Sequence, residues 1–264
     1  MSPTSNQVRG VAKLNKKDAR SETGLFLLEG PQGLKEALDR PKLIVDLYAT
    51  EVAIERYPEL FARAKAARID LEIVDEATLK VMCDTTTPQG VLAVCQQLHV
   101  SLESLIDSKP QLVALLANIR DPGNAGTVLR AADAAGADAV IFSSNSVDVY
   151  NPKVVRSTTG SIFHLPVVID IPIERAIESL RAAGLQVFAA NGGGVSLPDL
   201  SQAELARPTA WVLGNEAWGF ESETLAMVDK EVEVPIYGAA ESLNLATAAS
   251  ICLYASAFAQ NGTD

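Results

Sequence analysis

Glycines and residues with amide or charged side chains are concentrated in three loops, each of which follows an apolar segment. The polar residues of interest are Asn124 and Arg130 in residues 118–130, Glu216 in residues 212–220, and Ser242 and Asn244 in residues 234–245. Amides and a carboxylate can orient a reacting group, arginine can bind a phosphate, and glycine lets a backbone approach a ligand closely. These residue types favour the binding and orientation of an anionic substrate.

Each loop on its own also has an ordinary structural explanation. The nucleotide-binding patterns GxGxxG and GxxxxGK[ST] are absent from the first loop, and residues 192–194 do not complete the dinucleotide pattern either. Arg130, one turn inside the helix predicted to follow the first loop, could pair with Asp133 on the helix surface. Ser242 could cap the N-terminus of the next helix. The chemical interpretation therefore depends on the three loops together.

Length and charge limit the classes of protein. The 264 residues fit one large domain or two modest ones, and 48% hydrophobic against 21% charged residues is typical of a packed globular chain. A net charge of −11 argues against a protein that coats nucleic acid non-specifically. Only residues 1–24, called here the basic arm, are basic, with five Lys or Arg against two acidic residues. The arm is either a solvated helix face with a frayed start or a segment that helps to bind a polyanion.

Cysteine spacing and apolar patterns argue against four further classes: disulfide-stabilised, zinc-binding, secreted and membrane-spanning proteins. Cys83, Cys95 and Cys252 show no CxxC or Cys/His spacing, which argues against a disulfide scaffold or a zinc site, and we expect no metal. The N-terminus has no signal-peptide pattern, and no apolar stretch reaches the roughly 18 residues of a membrane span. We therefore expect a reduced, cytoplasmic protein.

Apolar segments alternate with helical segments along the chain, which predicts an α/β fold. Residues 25–97 predict a small α/β module, and residues 99–111 have the composition of a linker. In the second half, continuously apolar segments such as 112–117 are typical of parallel strands covered by helices on both faces. Helices are predicted there over residues 127–135 and 242–259. Ligands bind outside the carboxyl ends of strands in such sheets, which is where the three loops are expected.

Taken together, the three loops resemble the three motifs of the SpoU (TrmH) family of RNA ribose 2′-O-methyltransferases, in the SPOUT superfamily. The resemblance spans about residues 110–260, and residues 148–160 are also similar to a segment common in this family. Residues 20–97 resemble, mainly through Phe26-Leu-Leu-Glu-Gly30, the small RNA-binding domain of the ribosomal protein L30e type that many members carry. The motif residues are Asn124, Gly126 and Arg130, then Leu213-Gly-Asn-Glu216, then Ile236 with Ser242-Leu-Asn244.

The resemblance implies a fold class and a domain division. Residues 111–264 would form a methyltransferase domain, a parallel sheet with helices on both faces and a deep trefoil knot. Residues 1–99 would form the basic arm and an L30e-like substrate-binding domain, and residues 100–110 a linker. The resemblance also implies that S-adenosylmethionine binds in the knot. The backbone that would cradle it belongs to Ala190, Asn191, Leu213, Gly214, Ile236 and Leu245.

The resemblance further assigns roles to the polar residues of the loops. Arg130 corresponds to the catalytic arginine of the family. Because a guanidinium loses a proton only reluctantly, we hypothesise that Arg130 binds the RNA phosphate and orients the 2′-hydroxyl. Asn124 and Glu216 would position Arg130 and the reacting nucleotide, while Ser242 and Asn244 would hold the nucleotide and the backbone of the site.

Structured RNA and a second copy of the chain are the partners that the resemblance implies. Family members act as homodimers through the knotted domain, and ribosomal RNA is favoured over transfer RNA as the substrate. The residues predicted to contact RNA are basic: Arg9, Lys13, Lys16, Lys17, Arg20, Arg120 and Arg156, the last of these within its own chain or across the dimer.

Two other functions stay open at this point. A SPOUT protein that binds RNA or cofactor without catalysis, for example in ribosome assembly, would not need all five polar positions. An NAD enzyme would need the glycine pattern that the chain lacks.

Overall fold

The structure is a computed structural model that describes residues 4–214 and 219–262. In it the chain forms two compact units, each with its own sheet. The first unit is residues 1–98 with 148–163, and the second is residues 99–147 with 164–264.

The first unit contains a four-stranded mixed sheet. Its strands are β1 (Leu25–Glu29), β2 (Ile44–Ala49), β3 (Leu71–Ile73) and β4 (Val91–Gln96). They lie in the order β1-β4-β2-β3, and only the β2–β3 pair is parallel. Its helices are α1 (Asn6–Lys13), α2 (Lys17–Thr23), α3 (Pro31–Ala37), α4 (Glu51–Arg56), α5 (Pro58–Ala66), α6 (Glu76–Met82) and α9 (Pro152–Thr158).

The described part of the basic arm, residues 4–24, contains α1 and α2 and packs into the core of the first unit. Residues 1–3, at the start that was predicted to be frayed, lie outside the described residues. Val8, Val11 and Leu14 repeat at helical spacing and are buried in one core cluster with Tyr48. The predicted solvated face is also present, because four basic residues of the arm are exposed: Arg9, Lys13, Lys16 and Lys17.

The second unit contains a six-stranded sheet in which all neighbouring strands are parallel. Its strands are β5 (Leu112–Leu116), β6 (Ala139–Ser143), β7 (Val167–Ile171), β8 (Gln186–Ser196), β9 (Thr209–Leu213) and β10 (Lys230–Glu233). They lie in the order β10-β8-β9-β5-β6-β7. Every residue of β5, β6 and β9 is buried, which confirms the expectation drawn from their continuously apolar sequences.

Two helices of the second unit begin at residues other than those predicted. The helix α8 begins at Pro122, before the predicted Thr127, because the Asp121 carboxylate caps it by accepting from the amide of Asn124 at 2.7 Å. The helix α13 begins at Leu245, and its N-cap is Asn244, not Ser242. The helices of this unit are α7 (Leu102–Asp107), α8 (Pro122–Ala134), α10 (Ile173–Ala182), α11 (Gln202–Leu205), α12 (Ser222–Met227) and α13 (Leu245–Asn261).

The units differ from the predicted domains in two places. The predicted linker, residues 100–110, contains α7, whose Leu102 and Leu105 are buried in the core of the second unit. Residues 148–163 lie inside the predicted methyltransferase domain but belong to the first unit, where the ring of Tyr150 lies 5.0 Å from that of Phe26. Tertiary packing thus assigns a late segment of the chain to the early unit, which no single boundary in the sequence can describe.

None of the described helices is long and apolar enough to cross a bilayer. The parallel sheet with its helices agrees with the fold expected from the resemblance. The trefoil knot stays a prediction.

Candidate active site

The strands β5 and β9 end at the same edge of the second sheet, next to Ala190 in the middle of β8. Leu213 at the end of β9 is opposite both Leu116 of β5 and Ala190 of β8. Because parallel strands present their carboxyl ends together, the segments that follow these strands start side by side. This edge therefore brings two of the three predicted loops next to residues 190–191.

A cleft of about 430 Å³ opens at this edge. Five of the six residues predicted to bind the cofactor line it, together with Ser242: Ala190, Asn191, Gly214, Ile236 and Leu245. Their role as cofactor ligands stays a prediction, but the structure brings them to one place. Other residues that line the cleft were not predicted, among them Gly192, Gly193, Phe220, Glu233, Glu241 and Ala248.

Leu213 is the exception among the predicted cofactor residues. It is fully buried in β9, and its carbonyl accepts a hydrogen bond from the amide of Ala117 at 2.9 Å. Its side chain is therefore part of the core, and its carbonyl oxygen is used in the hydrogen bond to Ala117. Gly214, the next residue, is the one that reaches the cleft.

One wall of the cleft forms where β8 leaves its ladder with β10. Ala189 is opposite Glu231, but the next residue of β10, Val232, is opposite Val195. Residues 190–194, called here the β8 excursion, therefore bulge out of the ladder. The glycine run 192–194 was the sequence signal for this wall, although it fails as a dinucleotide loop.

Two glycines shape the cleft by letting other groups approach. A Cβ on Gly194 would lie 2.5 Å from the carbonyl carbon of Glu231, so only glycine allows β8 and β10 to come this close. A Cβ on Gly214 would lie 2.8 Å from the ring of Phe220. Since Gly214 and Phe220 both line the cleft, a side chain at position 214 would displace the ring and change the shape of the cleft.

Asn124 and Asn244 join the N-termini of α8 and α13. The Nδ2 of Asn244 donates to Oδ1 of Asn124 at 3.0 Å, while Oδ1 of Asn244 accepts from the amide of Ala246 at 2.9 Å. The positive ends of two helix dipoles therefore meet beside the cleft, which is favourable for an anion. The sequence predicted that these amides share a site but not that they are bonded to each other.

Arg130 lies on the exposed face of α8. It is farther from the helix N-terminus than predicted, because the helix begins at Pro122. The alternative partner, Asp133, is occupied, since its Oδ2 lies 2.9 Å from Nδ1 of His164. None of the ion pairs among residues 4–214 and 219–262 involves Arg130. Glu216, predicted to act beside it, lies outside the described residues.

One of the predicted RNA contacts, Arg20, is buried in the first unit and needs correction. Its side chain is 3% exposed, and its Nε and Nη2 donate to Oδ2 of Asp148 at 2.9 and 2.6 Å. Its Nη1 donates to the carbonyl of Leu14 at 2.8 Å. A buried guanidinium needs such partners, and these leave it unavailable to RNA. Among the other predicted contacts, Arg120 is exposed, like the four basic residues of the arm.

Arg156 is half-buried and is held by two carboxylates of the first unit. Its guanidinium lies 2.8 Å from Asp84 and 3.3 Å from Glu29. Glu29 also accepts from the amide of Asp84 at 2.7 Å and from the hydroxyl of Thr85 at 2.6 Å. The predicted phosphate contact of Arg156 stays a prediction, and these ion pairs compete with it.

The three cysteines are free and buried. Burial raises the pKa of Cys252 to about 12, and burial with the nearby Glu29 carboxylate raises the pKa of Cys83 to about 12. These thiols are protonated at neutral pH and are poor nucleophiles. In the part of the chain that the structure describes, no group of three or more His, Cys, Asp or Glu residues could hold a metal ion.

Two family models match the chain. The model of the SpoU rRNA Methylase family matches residues 111–254, which include the starts of α8 and α13 and the β8 excursion. The model described as RNA 2′-O ribose methyltransferase substrate binding matches residues 27–101, which include β2, β3 and β4.

Named relatives match nearly the whole chain. It is 34% identical over 254 residues to the 23S rRNA (guanosine(2553)-2′-O)-methyltransferase RlmP of Bacillus subtilis, covering 96% of each chain. It is 29% identical over 248 residues to the 23S rRNA (uridine(2479)-2′-O)-methyltransferase of Streptomyces viridochromogenes, covering 92% of this chain and 86% of the relative.

Solved structures of similar proteins include complexes with AdoMet. The AdoMet-bound rRNA methyltransferase of Sinorhizobium meliloti superposes with a TM-score of 0.83 at 31% identity, covering 97% of this chain and 95% of that one. The SpoU methyltransferase AviRb of Streptomyces viridochromogenes, in complex with AdoMet, superposes with a TM-score of 0.81 at 27% identity, covering 96% and 98%.

Proposed function

This chain belongs to the SpoU rRNA methylase family, and we propose that it transfers a methyl group from S-adenosylmethionine to a ribose 2′-hydroxyl of 23S ribosomal RNA. The names of its relatives support this substrate, and they include both a guanosine and a uridine as the methylated nucleotide. The AdoMet complexes of similar structures support the cofactor. A ribosomal substrate would be met in the cytoplasm.

One observation carries the proposal: the cleft and the paired helix N-termini share a single short segment. Ser242 and Leu245 line the cleft, and Asn244 between them is bonded to Asn124. A site suited to a small cofactor therefore adjoins a site suited to a phosphate. Transfer between a cofactor and a nucleic-acid backbone needs this adjacency.

The cleft fits S-adenosylmethionine in size and in chemistry. Its volume of about 430 Å³ lies in the range of small-molecule pockets, roughly 300–1,000 Å³. Ile236 and Leu245 offer apolar surface to an adenine ring, and the β8 excursion offers backbone groups to its polar edge. The carboxylate of Glu241 favours a ligand that carries a sulfonium and an ammonium group.

The protein's own task in this reaction is orientation. Bound S-adenosylmethionine supplies a methyl group that is already activated on a sulfonium. Arg130 holds a backbone phosphate with its planar fork and so aligns the neighbouring 2′-hydroxyl, while the helix N-termini at Asn124 and Asn244 favour the same negative charge. The hydroxyl proton passes to the phosphate or to solvent, because Arg130 stays protonated.

The methyl-transfer proposal is tested in two steps. Calorimetry first measures the binding of S-adenosylmethionine to the purified protein. Tritium transfer from the labelled cofactor is then measured on 23S rRNA, 16S rRNA and tRNA from a strain that lacks the gene. We expect label in 23S rRNA and one phosphodiester bond, next to the methylated ribose, that newly resists alkaline cleavage. Cofactor binding without transfer to any RNA would favour a binding module, and label in tRNA alone would contradict the substrate.

The helix α13 supports a homodimer. Ile251, Tyr254 and Phe258 lie on one side of this helix at spacings of three and four residues, and the Phe258 side chain is 69% exposed. The rings of Tyr254 and Phe258 are 5.4 Å apart, so they form one apolar surface. We assign this surface to a second copy of the chain, because exposed apolar surface of this kind marks a site of protein association.

Light scattering tests the dimer. Phe258→Glu places a charge on the apolar surface and is expected to convert a dimer into a monomer. Val52→Glu is the matched control, since Val52 is 64% exposed in the first unit. A wild-type protein that is monomeric at micromolar concentration, or a Phe258→Glu variant that stays dimeric, contradicts the assignment.

A further inference from the structure

Two carboxylates of β10 hold the β8 excursion, residues 190–194. The Oε2 of Glu231 accepts a hydrogen bond from Nδ2 of Asn191 at 2.8 Å, and the Oε2 of Glu233 accepts one from the amide of Gly193 at 2.5 Å. One bond secures the start of the excursion and the other its middle. Both carboxylates come from the strand whose ladder the excursion has left.

Packing contributes little to the shape of this segment at Gly192 and Gly193. A Cβ built on Gly192 or Gly193 would meet no atom within 4 Å, and Gly193 has a φ of +84°. Glycine loses more conformational freedom on ordering than any other residue, so an unsupported run of glycines would sample many conformations. The two carboxylate bonds therefore restrict the conformation of residues 191–193, while Ala190 is held by the ladder with β9 and Gly194 by its close approach to β10.

The selected conformation matters because the excursion faces the cleft. Ala190, Asn191, Gly192 and Gly193 all line it. The glycines have no side chains, and the Asn191 amide is engaged by Glu231, so recognition of a ligand here depends on the direction of backbone groups. A wall already ordered before binding spares the ligand the entropy cost of ordering it.

We infer that Glu231 and Glu233 are positioning residues for the cofactor, acting through the β8 excursion. This inference rests on the proposed function, because it takes S-adenosylmethionine as the ligand of the cleft. Glu233 also lines the cleft, so its charge could attract the cofactor directly. A test must separate the hydrogen bond from the charge.

The first test compares two substitutions of Glu233. Glu233→Ala removes the acceptor and is expected to raise the Kd and KM for S-adenosylmethionine on the order of tenfold, with kcat at saturating cofactor and RNA affinity little changed. Glu233→Gln keeps an acceptor but removes the charge and is expected to restore most of the affinity. Glu178→Ala, at an exposed glutamate of α10, is the matched control.

The second test exchanges donor and acceptor in the hydrogen bond between Asn191 and Glu231. Asn191→Asp places two carboxylates against each other and is expected to weaken cofactor binding. Adding Glu231→Gln supplies an amide that can donate to the new Asp, so the double variant is expected to regain affinity. A merely structural role would not make cofactor affinity follow the pairing of these two side chains.

Melting temperatures measured on all variants make the outcomes distinct. If Glu233→Ala lowers the melting temperature but the folded variant binds the cofactor with wild-type Kd, the inference is overturned. The same holds if Glu233→Gln is as weak as Glu233→Ala, because the charge would then be the cause. A wild-type protein that binds no S-adenosylmethionine overturns the proposed function instead.

Discussion

Arg20 and Arg156 of the first unit are used differently from Arg130 of the second unit. In the first unit Arg20 and Arg156 are bound to carboxylates of the same unit. In the second unit Arg130 is exposed on α8, and no carboxylate of residues 4–214 or 219–262 pairs with it. The residues are identical in chemistry, so the difference lies in what the fold places around each guanidinium.

This difference separates structural from functional cations. Removing a guanidinium from a buried ion pair destabilises the fold, because it leaves an uncompensated carboxylate. A guanidinium without a partner remains available to a phosphate. The two uses predict different losses on substitution, in stability for Arg20 and Arg156 and in reaction rate for Arg130.

The largest expected effect is that of Arg20→Ala. The substitution leaves Asp148 without its guanidinium, and breaking a buried pair in this way costs about 3–5 kcal/mol of unfolding free energy. Urea unfolding measures the loss. Arg9→Ala, at an exposed arginine of α1, is the control and is expected to cost little. If the Arg20→Ala variant has wild-type stability, Arg20 has no structural role and the difference from Arg130 is not supported.

Arg130→Lys is expected to lower kcat by about 100-fold, because lysine keeps the charge but not the planar fork that orients the phosphate. Melting temperature and S-adenosylmethionine Kd should stay at the wild-type values. Arg175→Lys, at an exposed arginine of α10, serves as the control for the same exchange. A rate close to wild type in Arg130→Lys would show that a point charge suffices, contrary to the orientation hypothesis.

The exposed lysines of the basic arm allow a test of RNA binding by the first unit. Neutralising Lys13, Lys16 and Lys17 to Gln is expected to raise the Kd for an rRNA fragment by about tenfold and to reduce its salt dependence. Lys35, Lys42 and Lys65 are exposed in the same unit and form the control triple. If the two triple variants raise the Kd for RNA equally, only the overall charge of the unit matters. If neither triple variant changes the Kd, the arm is a solvated helix face.

The smallest expected effect is that of Arg156→Gln, a loss of about 1 kcal/mol of unfolding free energy. Glu29 keeps its bonds to the backbone and hydroxyl of residues 84 and 85, so the carboxylate is not stranded. RNA affinity should not change if the ion pairs are the function of Arg156. A raised RNA Kd at unchanged stability would instead support the predicted phosphate contact.

The strands were predictable because their signal is local. Continuously apolar runs such as 112–116 can be buried only on both faces, and the structure places that run in the centre of a parallel sheet. Helix starts were less predictable. The prediction began α8 at Thr127 and overlooked Asp121-Pro122, a common capping pattern, and it chose Ser242 over Asn244 as the cap of α13.

The cleft was predictable in part. Five of the six cofactor residues that the family resemblance implied line it, and the strand pattern indicated only that a ligand would bind outside the carboxyl ends of the parallel strands. Glu233 was missed because its place in the site comes from the pairing of β10 with β8, between residues about 40 positions apart. No local pattern reports which strand a glycine run will lie against.

From its amino-acid sequence alone this protein could be recognised as a SpoU-type α/β protein with a defined set of polar residues, because motifs and hydrophobic patterns are properties of short segments. The tertiary structure was needed to show that Arg20 is structural, that residues 148–163 belong to the first unit, and that Asn124 bonds Asn244. These facts depend on contacts between residues far apart in the chain, and such contacts exist only once the chain has folded.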